Sequence, residues 1–290
     1  MEISERLHLI EIALLIVACT SFIAYMFGFY RLPVEKPSST SKLLFRDLLG
    51  VFAFFLFIEL VLVPAISYLW ISFQAGKWLE VKQIKIDSNT LGWLNLLAIF
   101  SSAVAILGFT FMLPSNVRKN VWRPSAYAGI GHVIKDVIIG FAAWLISYPL
   151  VIAVSQLIVL VMSLWLHFPH ADQVAVRQLK MTVSHPFLFW TTIVAIVFVV
   201  PVVEEILFRG FLQTWIKGVL GRTWGILLAS CIFASFHYSQ SQGWDNIELL
   251  CSLFILSCFL GFVYERQNSL WASIGLHVIF NAVSIFMILK

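Results

Sequence analysis

Apolar stretches of about twenty residues recur along almost the whole chain, and that leaves it few folds. A helix needs about 20 such residues to cross the hydrocarbon core of a bilayer. Each backbone N–H and C=O there must be bonded internally, as a helix does. Eight stretches qualify: residues 8–30, 48–72, 91–113, 137–165, 187–217, 223–239, 246–264 and 270–289. The composition agrees, with 60% of the 290 residues hydrophobic, 12% charged and a mean hydropathy of +0.93. A water-soluble domain of this size has no use for so much apolar surface. The expected fold is all-α: a polytopic transmembrane helical bundle of about eight spans. Met1 to Arg6 carries two acids and one arginine, and the apolar run after Leu7 is long enough to stay as a helix, so no cleavable signal peptide is expected.

The net charge of +4 is modest. Basic loop residues set topology and meet anionic headgroups; no nucleic-acid partner is implied. Loops around 31–47 and 114–136 hold more Lys and Arg than those on the side of the termini, which places the termini outside and the loop bearing Lys217 and Arg222 in the cytoplasm. Cys19, Cys231, Cys251 and Cys258 lie in apolar segments without metal-site spacing, and are read as small core residues. The lack of an internal repeat weighs against an inverted-repeat transporter.

Against this apolar background, Pro201-Val202-Val203-Glu204-Glu205-Ile206-Leu207-Phe208-Arg209 sets two acids and an arginine inside one span. A central charge costs roughly 2.5–3.5 kcal/mol on insertion scales, so such groups point to function. Pro201 has no N–H for the carbonyl four residues back, which predicts a kink near Phe198 to Pro201, a cavity and a free carbonyl ahead of Glu204. Glu205 and Arg209 are i, i+4 and suited to an ion pair. Glu204 lies about 100° round the helix, faces the cavity and suits a general base. His237 follows Phe233 by four residues, and His277 and Asn281 leave one face of the last helix. Together these give a base, an imidazole partner and two oxyanion donors, the parts needed for water to attack a carbonyl. No serine or cysteine stands beside a base as a nucleophile. Zinc is the competing chemistry, with Glu204, His237 and His277 as ligands and an open fourth position, although the chain lacks H-E-x-x-H. The blander readings are a structural charge network for the acids and interhelical hydrogen bonds for the histidines. Glu11 and Glu59 sit in early spans, where they either line a substrate path or pair between helices. Glu265-Arg266 reads as an interfacial pair, and His167, His170 and His185 as loop residues near the interface.

At these positions the chain resembles the CPBP intramembrane protease family, which includes the eukaryotic type II CAAX prenyl endopeptidase and bacterial Abi-type proteins. The family pattern E-E-x-x-x-R, F-x-x-x-H, H-x-x-x-N reads here as Glu204-Glu205 to Arg209, Phe233 to His237, and His277 to Asn281. Order and separation fit, within residues 185–285. Ala272-Ser273 after Trp271 departs from many relatives, which carry a proline there. The resemblance implies a conical helical bundle open to the membrane and to one aqueous face. It divides the chain into N-terminal transmembrane helices over 1–125, unassigned in role, and a CAAX-protease/Abi-like catalytic domain over 126–290. It makes Glu204 the base, His237 its partner, and His277 with Asn281 the oxyanion donors, with Glu205, Arg209 and Phe233 in support. Family members are labelled metalloproteases, and a metal-free glutamate mechanism is also argued for them; the preferred expectation is that no cofactor is required.

The expected function is thus that of an intramembrane endopeptidase acting on a peptide or lipidated protein substrate, in a bacterial inner membrane or its equivalent. Two alternatives stand beside it. A proton-coupled transporter would use Glu204 and the histidines as a relay and tolerate Glu204→Asp with a shifted pH dependence. A non-catalytic Abi-type scaffold or immunity protein would function normally with Glu204→Gln.

Overall fold

A computed structural model describes residues 3–34, 43–75, 86–123, 129–165 and 174–290. His167 and His170 lie outside the described residues. Among the described residues there are helices and no strands. In chain order they are α1 (Ile3–Met26), α2 (Phe45–Gln74), α3 (Ser88–Met112), α4 (Ser115–Trp122), α5 (Ile130–Trp165), α6 (Val174–Thr182), α7 (Pro186–Leu220), α8 (Arg222–Ser235), α9 (Asp245–Gln267) and α10 (Leu270–Leu289). Seven of these are long and apolar enough to cross a membrane, and the protein is an integral, multi-pass bundle. Asp87 caps α3, accepting from the N–H groups of Asn89 and Thr90 at 3.1 Å each. Hydrogen bonds from Thr90 and its neighbours hold that carboxyl below the usual carboxylate range.

The sixth apolar segment, α8, differs from the rest. Gly221, at φ 86, breaks the chain after α7, a conformation that costs glycine little. The 14 residues of α8 then rise only about 21 Å, short of the roughly 30 Å of a hydrocarbon core. Its end tightens into a turn, with His237 N–H bonded to Ala234 O at 2.9 Å and Phe236 N–H to Phe233 O at 3.2 Å. Asn246 holds the following turn by accepting from Ser239 N–H at 3.0 Å and donating to Ser239 O at 2.7 Å. His237 thereby falls just past the helix end, half-buried.

Both α2 and α7 contain π turns: Ile58–Leu62 precedes Pro64, Ala195–Val199 precedes Pro201, and a further stretch of α7, Ile206–Gln213, carries Arg209. The irregularity expected at Phe198 to Pro201 is therefore a widened turn in a helix that continues to Leu220. In π geometry the partner of residue 201 is the carbonyl five residues back, so the released carbonyl is that of Ile196.

The largest core cluster joins Leu48 and Val51 of α2, Ile106 of α3 and Val121 of α4 to Phe208 and Phe211 of α7 and Phe233 of α8. The first 125 residues thus contribute to the core around the first two motifs. The last helix is seated on α5 through small residues. A Cβ on Gly275 would lie 2.9 Å from Val137 O, and one on Gly140 would strike the backbone of Ala272. Such close backbone approach characterises small-residue crossings in membranes. The cysteines correct an expectation: Cys19, Cys231 and Cys251 are exposed and Cys258 is half-buried. The outside of a membrane bundle is itself apolar, so a small thiol need not be interior.

Candidate active site

Four elements bring the motif residues together. Glu205 and Arg209, one turn apart on α7, are both wholly enclosed and pair at 3.1 Å. The guanidinium also donates to Ser257 Oγ of α9 at 3.0 Å and lies over the Phe233 ring at 5.1 Å. Glu205 spends its other oxygen on His277 Nδ1, 3.0 Å away on α10. A carboxylate only accepts here, so Nδ1 carries the proton and the imidazole is locked in orientation.

Glu204, near the middle of α7, is turned away from that pair. Its Oε2 lies 3.6 Å from His277 Nε2 and its Oε1 lies 3.7 Å from His237 Nε2. Neither separation is a direct hydrogen bond, and a water beside each pair could reach both atoms. His237 Nδ1 sits 3.0 Å from Phe233 O, which can only accept. That fixes Nδ1 as donor, so a neutral His237 presents the bare Nε2 lone pair toward Glu204. Phe233 is the spacer of the site: its ring is 4.9 Å from that of His237 and 6.0 Å from that of His277.

Glu204 and His237 open onto a cavity of about 450 Å³. Its walls come from Phe55 and Glu59 of α2, Ile99 and Ser102 of α3, Gln178 of α6, Val200, Val203, Leu207 and Phe208 of α7, and Phe236 beyond α8. The contribution of α2, α3 and α6 has no signal in the three motifs. The nearest hint in the sequence is Glu59 itself, an acid in an apolar span close to a proline.

Asn281 has a partner that the spacing alone does not reveal. Its Nδ2 donates to Ile196 O at 3.0 Å, the carbonyl released by Pro201. The free carbonyl expected ahead of Glu204 exists, and the asparagine of the third motif fills it. One amide hydrogen of Asn281 remains for other use.

The charged pair expected at Glu265-Arg266 is not formed between those two residues. Glu265 takes Arg123 at 2.8 Å, Lys217 at 2.5 Å and Arg222 at 3.4 Å, while Arg266 donates to Phe29 O at 2.5 Å. Adjacent residues on a helix point about 100° apart, which separates their partners.

The donor chemistry of Glu204, His237 and His277 suits zinc, since each imidazole has a free Nε2 and an Nδ1 held by an acceptor. Among the described residues, however, no three His, Cys, Asp or Glu side chains are already drawn together to hold a metal ion.

Residues 186–283, from the start of α7 into α10, match the family described as type II CAAX prenyl endopeptidase Rce1-like. The match covers about a third of the chain. All three motifs fall inside it. A Bacillus subtilis (strain 168) relative, described as uncharacterized protein YpbD, is 36% identical over 80 residues, which is 28% of this chain and 36% of the relative. The chain thus spans about a third of that relative's length. No solved structure matches the chain.

Proposed function

We propose that this protein is an intramembrane endopeptidase of CAAX-protease type that hydrolyses a peptide bond with water activated by Glu204 and His237. The observation that carries this reading is Glu204 bracketed by two imidazoles at 3.6 and 3.7 Å on the wall of a mid-helix cavity. Water held beside Glu204 and His237 gives up a proton as its oxygen bonds to the carbonyl carbon. The carbonyl π electrons move onto oxygen, and His277 faces the oxyanion that forms. Its Nδ1–H is committed to Glu205, so donation from Nε2 requires the doubly protonated ring. Asn281 keeps one N–H for the same oxyanion while the other holds Ile196. Collapse of the intermediate breaks the C–N bond, and the proton taken from water passes to the leaving amine. Glu205 and Arg209 orient His277 and stand outside the chemistry. A general base contributes about 10²–10⁴ in rate and one oxyanion donor about 10²–10³.

The substrate proposed is a membrane-associated peptide or lipidated protein; a prenylated CAAX terminus is the substrate of the eukaryotic family members. The test is a screen of purified, detergent-solubilised protein against a peptide library containing farnesylated CAAX peptides, with cleavage products identified by mass. Wild type cleaves and Glu204→Asp does not, because a one-methylene retreat withdraws the base. Cleavage that survives in Glu204→Asp removes the role given to this carboxylate.

A further inference from the structure

Glu59 lies near the middle of α2, as Glu204 does on α7, and it lines the same cavity. Ser102, itself buried at 3% exposure, donates its hydroxyl to Glu59 Oε1 at 2.5 Å and holds the carboxylate in place. Two other deep acids are neutralised within the protein: Glu205 by Arg209, and Glu265 by Arg123, Lys217 and Arg222. Glu59 is not. Among the described residues no lysine or arginine pairs with it, and none lines the cavity. The polar groups there are two carboxylates, one imidazole, the amide of Gln178 and the Ser102 hydroxyl.

A carboxylate inside an apolar span is costly unless something compensates it. In a cavity that also presents Glu204, the missing complement is a cation. We propose that Glu59 is a specificity residue that receives the ammonium or guanidinium of a substrate lysine or arginine beside the scissile bond. This rests on the endopeptidase reading and narrows its substrate. An acidic side chain, or a free C-terminal carboxylate brought close to the scissile bond, meets two like charges here and is disfavoured. A neutral side chain leaves Glu59 bonded to Ser102 alone. Desolvation in the cavity sharpens these differences, because opposite charges attract more strongly away from water.

The test uses the full chain in detergent and a peptide cut by wild type, varied to Lys, norleucine or Glu at each position flanking the scissile bond. All peptides are N-acetylated, with a parallel free-amine set. The reading is the ratio of kcat/KM for the Lys and Glu peptides within each protein, which cancels any loss of folded enzyme. At one flanking position the wild-type ratio exceeds about tenfold, on the scale of close charge complementarity. It falls toward one in Glu59→Gln and inverts in Glu59→Lys. A merely structural glutamate lowers all rates and leaves the ratio alone, so an unchanged ratio in Glu59→Gln overturns the proposal. A wild-type ratio near one overturns it as well, while leaving the endopeptidase reading intact. Preference confined to the free-amine set overturns the side-chain assignment. Failure of wild type to cut any peptide defeats the endopeptidase reading, and this proposal with it.

Discussion

Arg209 and Glu205 are both wholly enclosed, so removing either strands the other's charge in the bundle. Breaking a buried pair in this way costs about 3–5 kcal/mol. Arg209→Leu should therefore lower the unfolding midpoint in detergent sharply, and Glu205→Leu/Arg209→Leu should recover much of the loss. Activity should stay low in the double variant, because His277 Nδ1 loses the acceptor that orients it. At the other histidine, His237→Gln should keep the fold and reduce kcat by about 10²–10⁴. The division of labour between the two glutamates was legible in the sequence, because one turn separates Glu205 from Arg209 and adjacent residues cannot share a partner. The partners of Glu205 on other helices were not. His277 Nδ1 reaches it only through the packing of α10 on α7, just as Ser257 reaches Arg209 only through that of α9.

At the scale of elements, the π turn at Ala195–Val199 and Asn281 form one device. Truncation in Asn281→Ala leaves Ile196 O unsatisfied, at a cost of about 1–3 kcal/mol. Pro201→Ala restores a backbone N–H that can reach that carbonyl, so stability in Pro201→Ala/Asn281→Ala should exceed that of Asn281→Ala alone. Thermal unfolding of the four proteins in the cycle measures this coupling, and strictly additive effects would separate the two residues. The proline announced an irregular turn, but its register depends on π rather than α bonding, which a local pattern does not reveal. The crossing of α5 and α10 is the other element-scale constraint. Gly275→Ala places a methyl 2.9 Å from Val137 O, forces the helices apart and should destabilise by about 1–3 kcal/mol. Cleavage should fall with it, since His277 is on the displaced helix.

For the molecule as a whole, the spans were readable because an apolar run of fixed length is nearly sufficient to identify a membrane helix. α8 was the exception. The run over 223–239 has the composition of a span, but its helix closes at Ser235: Phe236 N–H is shared between Ile232 O and Phe233 O, and His237 bonds three residues back. That early closure is what sets His237 opposite Glu204 rather than at the surface. The cavity was the least legible feature, since α2, α3 and α6 supply nearly half of its lining from outside the residues that match the family. Long-range packing of apolar helices leaves little pattern in any one of them. The central claim is that the Glu204 carboxylate activates water for peptide hydrolysis. It is tested most directly by single-turnover cleavage of one peptide by wild type and Glu204→Gln, each before and after zinc chelation, with folding checked by thermal unfolding. Cleavage that falls at least about 100-fold in folded Glu204→Gln and survives chelation in wild type is the predicted result. Cleavage by folded Glu204→Gln at the wild-type rate contradicts the account, and loss of wild-type cleavage on chelation contradicts its metal-free form.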